Sequence, residues 1–168
     1  MTALNAKPYP CLWCKDGVEE PAQFYQSVFK GAREVELMKT PKIEGDNPGN
    51  LKEGEPMVSV VELNGQRVML LNGGGHSFEY NESVSLVIDC GDQAEVDYYW
   101  NALIADGGRE SQCGWLKDKY GMNWQVTPTR LIELMTDADK EKAGRVMAAM
   151  LQMSKIEIEP LERAAAGG

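Results

Sequence analysis

The sequence has few of the residues on which metal and nucleic-acid chemistry depends. Its 168 residues include one histidine, His76, and 17 Lys and Arg against 26 Asp and Glu, for a formal net charge of −9. One histidine excludes a zinc site with several histidine ligands and leaves no spare base for a Ser-His-Asp triad. The shortage of basic residues argues against nucleic acid or an anionic membrane as a partner, because phosphate binding needs clustered Lys and Arg. We expect His76, which follows three glycines, to be an exposed loop residue.

Long apolar runs and a leader pattern are also missing. No run approaches the roughly 20 apolar residues that span a bilayer, and no basic stretch followed by an apolar core opens the sequence. Four cysteines without such a signal indicate reduced thiols rather than a disulfide framework. Cys11 and Cys14 match C-x-x-C by letters, but they lie on a predicted strand and not at a helix N-terminus. These features predict one cytoplasmic domain, residues 1–168.

One pattern occurs twice in the chain. Residues 9–72 and 83–126 each read as a strand, an amphipathic helix and further strands closed by a tight hairpin. The first helix has Pro21 near its start and Gly31 after its end, and Asn64-Gly65 is a strong hairpin signal. The pattern predicts an α+β fold of two βαβββ repeats that form a curved mixed sheet with a cleft. Residues 129–168 predict a helical tail capped by Asp137.

A long loop separates strands of the first repeat. Residues 40–56 hold three prolines and three glycines, which favour turns over regular structure. Loops of this length in a compact domain are often functional. Whether this loop closes over the cleft stays open at the level of the sequence.

Several sequence stretches resemble the vicinal oxygen chelate superfamily, which contains glyoxalase I, bleomycin-resistance proteins and extradiol dioxygenases. Within it, the chain is similar to the PhnB-like branch labelled 3-demethylubiquinone 3-methyltransferase. The resemblance implies the glyoxalase/bleomycin resistance/dihydroxybiphenyl dioxygenase fold, usually in a homodimer. The stretches that carry it are Pro10–Trp13, Phe24–Phe29, Asn72–Gly74, Gln112–Asp118 and Tyr120–Val126.

The resemblance also implies four positions at which catalytic members place His, Glu or Gln around one divalent ion. Here these positions hold Pro10, Met69 (or Leu71 if the register slips by two), Ser83 and Gln125. Proline offers no donor, and a thioether and a serine hydroxyl are poor ligands for hard or borderline ions. We therefore expect no inherited metal site, and no cofactor.

The cleft is then expected to hold a small organic molecule without a metal. An apolar floor with a few hydroxyl and amide groups suits a flat, partly polar ligand. We assign Trp13, Trp100 and Trp124 to helix-facing positions and leave Trp115 at the rim, for stacking or a dimer contact. The predicted ligand-binding residues are Leu12, Met69, Leu71, Ser83, Ser85, Gln112, Trp115 and Gln125.

Two alternatives remain open: an enzyme, and a purely dimerising or regulatory module. The enzyme would be a lyase or isomerase with a nonstandard metal site, or the methyltransferase of the family label. No Gly-rich turn follows the first strand, as an S-adenosylmethionine enzyme of Rossmann type would require. Cys113 is a weak candidate for a reactive thiol, because a thiol nucleophile needs a nearby base or positive charge and Lys117 or Lys119 could serve only loosely. A register slip of one residue would bring Glu34, Glu36, Glu62 or Glu79 into the cleft.

Overall fold

The computed structural model describes residues 6–75 and 79–167, so the expectation for His76 lies outside the described residues. The chain forms two compact units, Met1–Phe78 and Glu79–Gly168. Among the residues described, no helix has the length and apolar composition needed to cross a membrane.

The first unit is one βαβββ repeat. Its strands pair in the order β1-β4-β3-β2, with β1 and β4 parallel and the other pairs antiparallel. A tight turn at Asn64-Gly65 joins β3 to β4, and both residues have the positive φ that this turn requires. The elements are β1 (Cys11–Trp13), α1 (Glu19–Val28), β2 (Arg33–Lys39), β3 (Pro56–Leu63) and β4 (Gln66–Leu71).

The second unit repeats this topology. Its strands pair in the order β5-β8-β7-β6, again with the first and last strands of the repeat parallel and adjacent. The side chain of Asp92 caps α2 by accepting from the Glu95 amide at 2.9 Å. The elements are β5 (Leu86–Cys90), α2 (Gln93–Ile104), a short 3-10 turn (Ala105–Gly107), β6 (Arg109–Glu110), β7 (Trp115–Lys117) and β8 (Asn123–Pro128). The predicted α+β class with two βαβββ repeats is confirmed.

The helical tail consists of α3 (Thr129–Met135), α4 (Lys140–Met150) and α5 (Ile158–Ala166). Its own core contains Leu131, Leu134, Val146, Ile156 and Leu161. The cap of α4 is Asp139, whose carboxylate accepts from two backbone amides of the first turn. The prediction of Asp137 as the cap was therefore wrong by two residues, because Asp137 instead binds the Lys142 ammonium at 2.6 Å.

The loop between β2 and β3 is tied at both ends and in the middle. Thr40 donates its amide to Glu55 and accepts from Gly54, at 2.8 and 2.9 Å. In the middle, the backbone of Gly49 touches that of Gly74 so closely that a Cβ on Gly74 would lie 2.3 Å from the Gly49 Cα. The loop is therefore fixed against the residues that follow β4.

Candidate functional site

Strand register decides which face of the first sheet is open. Residues directly opposite each other in a ladder share a face, so Met69 lies with Cys11, and Leu71 with Trp13. The other face is the core, where Leu12 pairs with fully buried Leu70. We call the face with Cys11, Trp13, Val58, Met69 and Leu71 the open face of the first sheet, although Val60, which lies opposite Met69 on it, is fully buried.

Two predicted placements on β1 were therefore wrong. Leu12 was expected to face the ligand, but it is 6% exposed and belongs to the core. Trp13 was expected in the core, but it is 36% exposed and lies on the open face. Met69 and Leu71 lie on the open face with Cys11 and Trp13, so the register separates them from Leu12, with which they were expected to share a face.

Trp13 is held against the chain that follows β4. A Cβ on Gly73 would lie 2.3 Å from Cζ2 and 2.6 Å from Cε2 of the indole, so only glycine leaves room there. Sequence reasoning missed Trp13 as a site residue. The signal that could have found it is the run of glycines at 73–75, since a bulky ring needs a residue without a side chain behind it.

The second sheet also has one open face. Leu116, Trp124 and Val126 are buried, while Gln125 lies on the opposite face. Gln125 pairs with Trp115 on one side and with Val87, which is 56% exposed, on the other. The open face of the second sheet is defined by Ser85, Val87, Trp115 and Gln125.

Gln125 and Ser85 form the polar centre of this face. The Gln125 side-chain amide donates to the Ser85 hydroxyl at 2.9 Å. The structure therefore brings together three of the predicted residues: Ser85, Trp115 and Gln125. Ser83 lies apart, in the turn before β5, where its backbone amide donates to the Asn81 side chain at 3.0 Å.

Gln112 and Cys113 lie in the turn that leads into β7. Gln112 is exposed, and its carbonyl accepts from the Trp115 amide at 3.1 Å. Cys113 is half-buried and has a φ of 58°, in the left-handed region. The backbone here is fixed by partners in the tail, because the amides of Cys113 and Gly114 donate to Met153 and Ser154.

Asp118 fixes the corner between β7 and β8. Its buried carboxylate accepts from the amides of Tyr120 and Met122 and from the indole of Trp124, at 2.9 to 3.1 Å. Gly121, with a φ of 83°, completes the turn. This corner sets the register that places Trp115 opposite Gln125.

Of the four glutamates that a register slip of one residue would bring into the cleft, three bind other side chains and the fourth is exposed. Glu36 and Glu62 lie on the open face of the first sheet, but each binds an arginine, Arg67 and Arg33 respectively. The Arg67 guanidinium also lies 4.9 Å from the centre of the Tyr9 ring. The other two are Glu34, which accepts from buried Ser59, and Glu79, which is exposed.

The metal-site positions implied by the resemblance do not fit a divalent ion. In the first unit they offer Pro10, which has no side-chain donor, and the soft thioether of Met69. In the second unit they offer Ser83, which lies in the turn before β5, and Gln125, whose amide oxygen is a single ligand and does not make a metal site on its own. Among residues 6–75 and 79–167, no cluster of three or more His, Cys, Asp or Glu could hold a metal ion.

The four cysteines, all within the part of the chain that the structure describes, form no disulfide with one another. Cys11 is exposed and Cys14 is buried, as expected for a strand that places them on different faces. Partial desolvation by neighbouring groups raises the pKa of the Cys11 thiol, although the residue is exposed, whereas a redox-active C-x-x-C lowers the pKa of its first thiol. Burial, with nearby carboxylates, raises the pKa of Cys90 to about 12. Neither thiol has the environment of a nucleophile.

Solved structures share this fold. The PhnB protein of Bacillus cereus, which carries the provisional description 3-demethylubiquinone-9 3-methyltransferase, is 29% identical with a TM-score of 0.62 over 73% of this chain and 99% of its own. A Pseudomonas aeruginosa protein is 16% identical with a TM-score of 0.58 over 74% and 98%. The fosfomycin resistance protein FosX of Listeria monocytogenes is 17% identical with a TM-score of 0.54 over 80% and 100%. The fold is that of the vicinal oxygen chelate superfamily, to which PhnB and FosX belong.

The particular family follows from the sequence match. The family model described as 3-demethylubiquinone-9 3-methyltransferase matches residues 6–127, and the chain belongs to that family. No curated protein matches the sequence. The family match ends at the last strand, so the helical tail lies outside it.

Proposed function

We propose that this protein binds a small, flat and partly polar organic molecule and needs no metal to do so. The observation that carries the proposal is the arrangement on the second sheet, where the Gln125–Ser85 hydrogen bond lies directly beside Trp115. An indole offers a flat apolar surface, and the neighbouring amide and hydroxyl can fix the orientation of a ligand by hydrogen bonds.

The polar pair has hydrogen-bonding capacity beyond the bond it makes. A glutamine side chain carries two donor hydrogens and one carbonyl oxygen, and a serine hydroxyl both donates and accepts. The bond between Gln125 and Ser85 uses one amide hydrogen and fixes the orientation of the amide group. A ligand carbonyl or hydroxyl can then be recognised by an amide that is already oriented, at little entropic cost.

The open face of the first sheet supports the same class of ligand. Trp13, Met69 and Leu71 present an indole, a thioether and an aliphatic side chain on one surface. Methionine adapts to irregular shapes, and an indole prefers flat partners. Both faces therefore favour a ring system over a flexible chain.

Native mass spectrometry with elemental analysis tests the proposal first. We expect a protein without stoichiometric metal that retains a small organic mass or binds naphthol, a flat ring with one hydroxyl. Decalol, its saturated analogue, has a similar size but no flat ring, and we expect it to bind roughly two- to tenfold more weakly. One divalent metal per chain would contradict the proposal and favour a glyoxalase-like enzyme.

Variants of Ser85 and Gln125, with Ser83 as the control, test where the ligand binds. Ser85→Ala and Gln125→Leu each remove one partner of the polar pair and should weaken naphthol binding roughly tenfold, the effect of about one good hydrogen bond. Ser83→Ala is the control, because that hydroxyl lies in the turn before the strand and binds Asn81. Equal affinity of all three variants would place the ligand elsewhere.

Enzymatic methyl transfer is the second candidate, and the family membership favours it. Each sheet contains one parallel strand pair in a mixed arrangement, unlike the parallel sheet of a Rossmann-type methyltransferase. Calorimetric titration with S-adenosylmethionine decides between the two candidates. Saturable binding together with methyl transfer to a ring hydroxyl would make the enzyme the better description.

The proposal includes a cytoplasmic homodimer. An apolar surface on the tail supports self-association. Met147 in α4 is 39% exposed, and Leu151, which follows the last residue of α4, is 54% exposed. The mass of the intact species in the same native measurement decides the oligomeric state. A monomer at micromolar concentration would contradict this part alone.

A further inference from the structure

We propose that tail residues 153–158, here called the tail clamp, position Trp115 on the open face of the second sheet. The inference rests on the proposed binding function and adds a positioning element to it. The clamp lies beyond residue 127, where the family match ends. It makes four kinds of contact with the rest of the second unit.

The first contact holds an unusual backbone conformation. Cys113 and Gly114 have φ angles of 58° and 83°, a conformation that L side chains such as that of cysteine adopt rarely. Both amides donate to the clamp, to Met153 and Ser154, at 2.7 Å each. These two hydrogen bonds stabilise a turn that its own sequence does not favour.

The second contact fills the space beside the turn. Ile156 is fully buried, and a Cβ on Gly114 would lie 3.0 Å from its Cγ1 and 3.0 Å from the Val126 carbonyl oxygen. The Gly114 carbonyl in turn accepts from the Val126 amide at 2.8 Å. Gly114 is therefore held between β8 and the tail clamp.

The third and fourth contacts fasten the clamp to α2. Gln93 donates to the Ile156 carbonyl at 3.2 Å and accepts from the Ile158 amide at 2.8 Å, as a strand partner would. The Lys155 ammonium binds the Asp97 carboxylate one helical turn further along. Trp100 of α2 is buried and its indole donates to Glu110 of β6 at 3.0 Å, so the helix that holds the clamp is itself attached to the second sheet.

The turn that the clamp holds leads directly into Trp115. The Trp115 amide donates back to Gln112 at 3.1 Å, and its Cα is paired with that of Gln125. Release of the turn would free the first residue of β7, and with it the indole beside the polar pair. The clamp therefore fixes the distance between the flat and the polar part of the proposed site.

Variants of Gln93 and Lys155, whose side chains join the tail clamp to α2, test this inference without changing the proposed ligand-binding residues. Gln93→Leu removes both backbone contacts to the clamp, and Lys155→Met removes its ion pair, whereas Lys155→Arg keeps the charge and should restore wild-type behaviour. Arg130→Met is the control, since Arg130 binds Glu133 and Glu162, away from the clamp.

Three measurements on the full chain show whether the tail clamp positions Trp115. Amide hydrogen exchange by NMR at Cys113 and Gly114 should accelerate about tenfold or more in the two anchor variants, because local opening becomes easier. The indole N–H signal of Trp115 should shift, and naphthol affinity should fall roughly two- to tenfold. The control and Lys155→Arg should match wild type in all three.

Two results would overturn the inference. Unchanged exchange at Cys113 and Gly114 would mean that the clamp does not hold the turn. Faster exchange with an unmoved Trp115 signal would mean that the turn does not position the indole. If wild-type protein binds no naphthol at all, the proposed function fails, while exchange and the indole signal still decide whether the clamp positions Trp115.

Discussion

Replacing Gly73 with alanine tests whether the indole of Trp13 is rigidly placed. The new Cβ would lie 2.3 Å from Cζ2 and 2.6 Å from Cε2 of Trp13. Carbon atoms in contact prefer about 3.5–4.0 Å, so the ring has to move. Gly75→Ala is a matched control, because nothing lies within 4 Å of its Cβ and neither glycine has a positive φ.

The size of the effect follows from the difference between the two variants. Both gain about 0.4–1 kcal/mol from a less flexible unfolded chain, and this gain cancels in the comparison. Overpacking a fixed ring costs about 1–3 kcal/mol. We therefore expect Gly73→Ala to have a free energy of unfolding about 1–3 kcal/mol lower than that of Gly75→Ala.

Urea denaturation followed by circular dichroism measures this difference, and the Trp13 indole signal in NMR reports the movement. If the open face of the first sheet binds naphthol itself, that binding should weaken in Gly73→Ala and not in Gly75→Ala. Equal stabilities with an unmoved Trp13 signal would refute the reasoning, because the close contact would then cost nothing.

Three further predictions concern groups away from Trp13. Asp118→Ala leaves two backbone amides and an indole without their acceptor, so we expect a loss of about 3 kcal/mol or more in urea denaturation; a loss below that of a surface alanine substitution would contradict it. In a thiol titration with a disulfide reagent, exposed Cys11 should react in the native protein, whereas Cys90, with its pKa raised to about 12 by burial, should react only after unfolding. The hydrogen bond from Lys155 lowers the pKa of Asp97 in the folded protein. The ion pair therefore stabilises the fold fully above the ordinary pKa of an aspartate, and this stabilisation is lost as the pH falls through the lowered pKa. Asp97→Asn should therefore flatten the fall in the urea midpoint below about pH 4, and an unchanged slope would argue against this pair.

Side-chain orientation was easier to predict in the second repeat than in the first, because polar residues alternate with apolar residues along its strands. In β8, Gln125 lies between Trp124 and Val126, so alternation alone assigns the amide to the open face. Ser85 follows by the same argument from Leu86 and Ile88. The prediction extended the strand too far in placing Ser83 on it, since Asn81 forms a turn with that residue.

The tail shows a different limit of sequence reasoning. Asp137 and Asp139 are both capping residues by type, two positions apart. Only the structure shows that Asp139 reaches the amides of Glu141 and Lys142, while Asp137 binds a lysine side chain. Likewise, the acceptors for Cys113 and Gly114 lie about forty residues further along the chain, at Met153 and Ser154, where no local pattern points to them.

The misassigned face of β1 has a physical cause that also bears on function. The strand contains only Cys11, Leu12 and Trp13, which are all apolar, so alternation gives no sign of its orientation. Orientation is set by parallel pairing with β4, which places Leu12 beside Leu70 and leaves the indole on the outer side. Trp13 leaves 36% of its surface exposed with a glycine behind it, so part of the apolar burial of the indole is lost. Such a cost is most simply offset by a ligand that the indole contacts, which is why we propose Trp13 as a ligand contact of the first sheet although we had expected a core residue there.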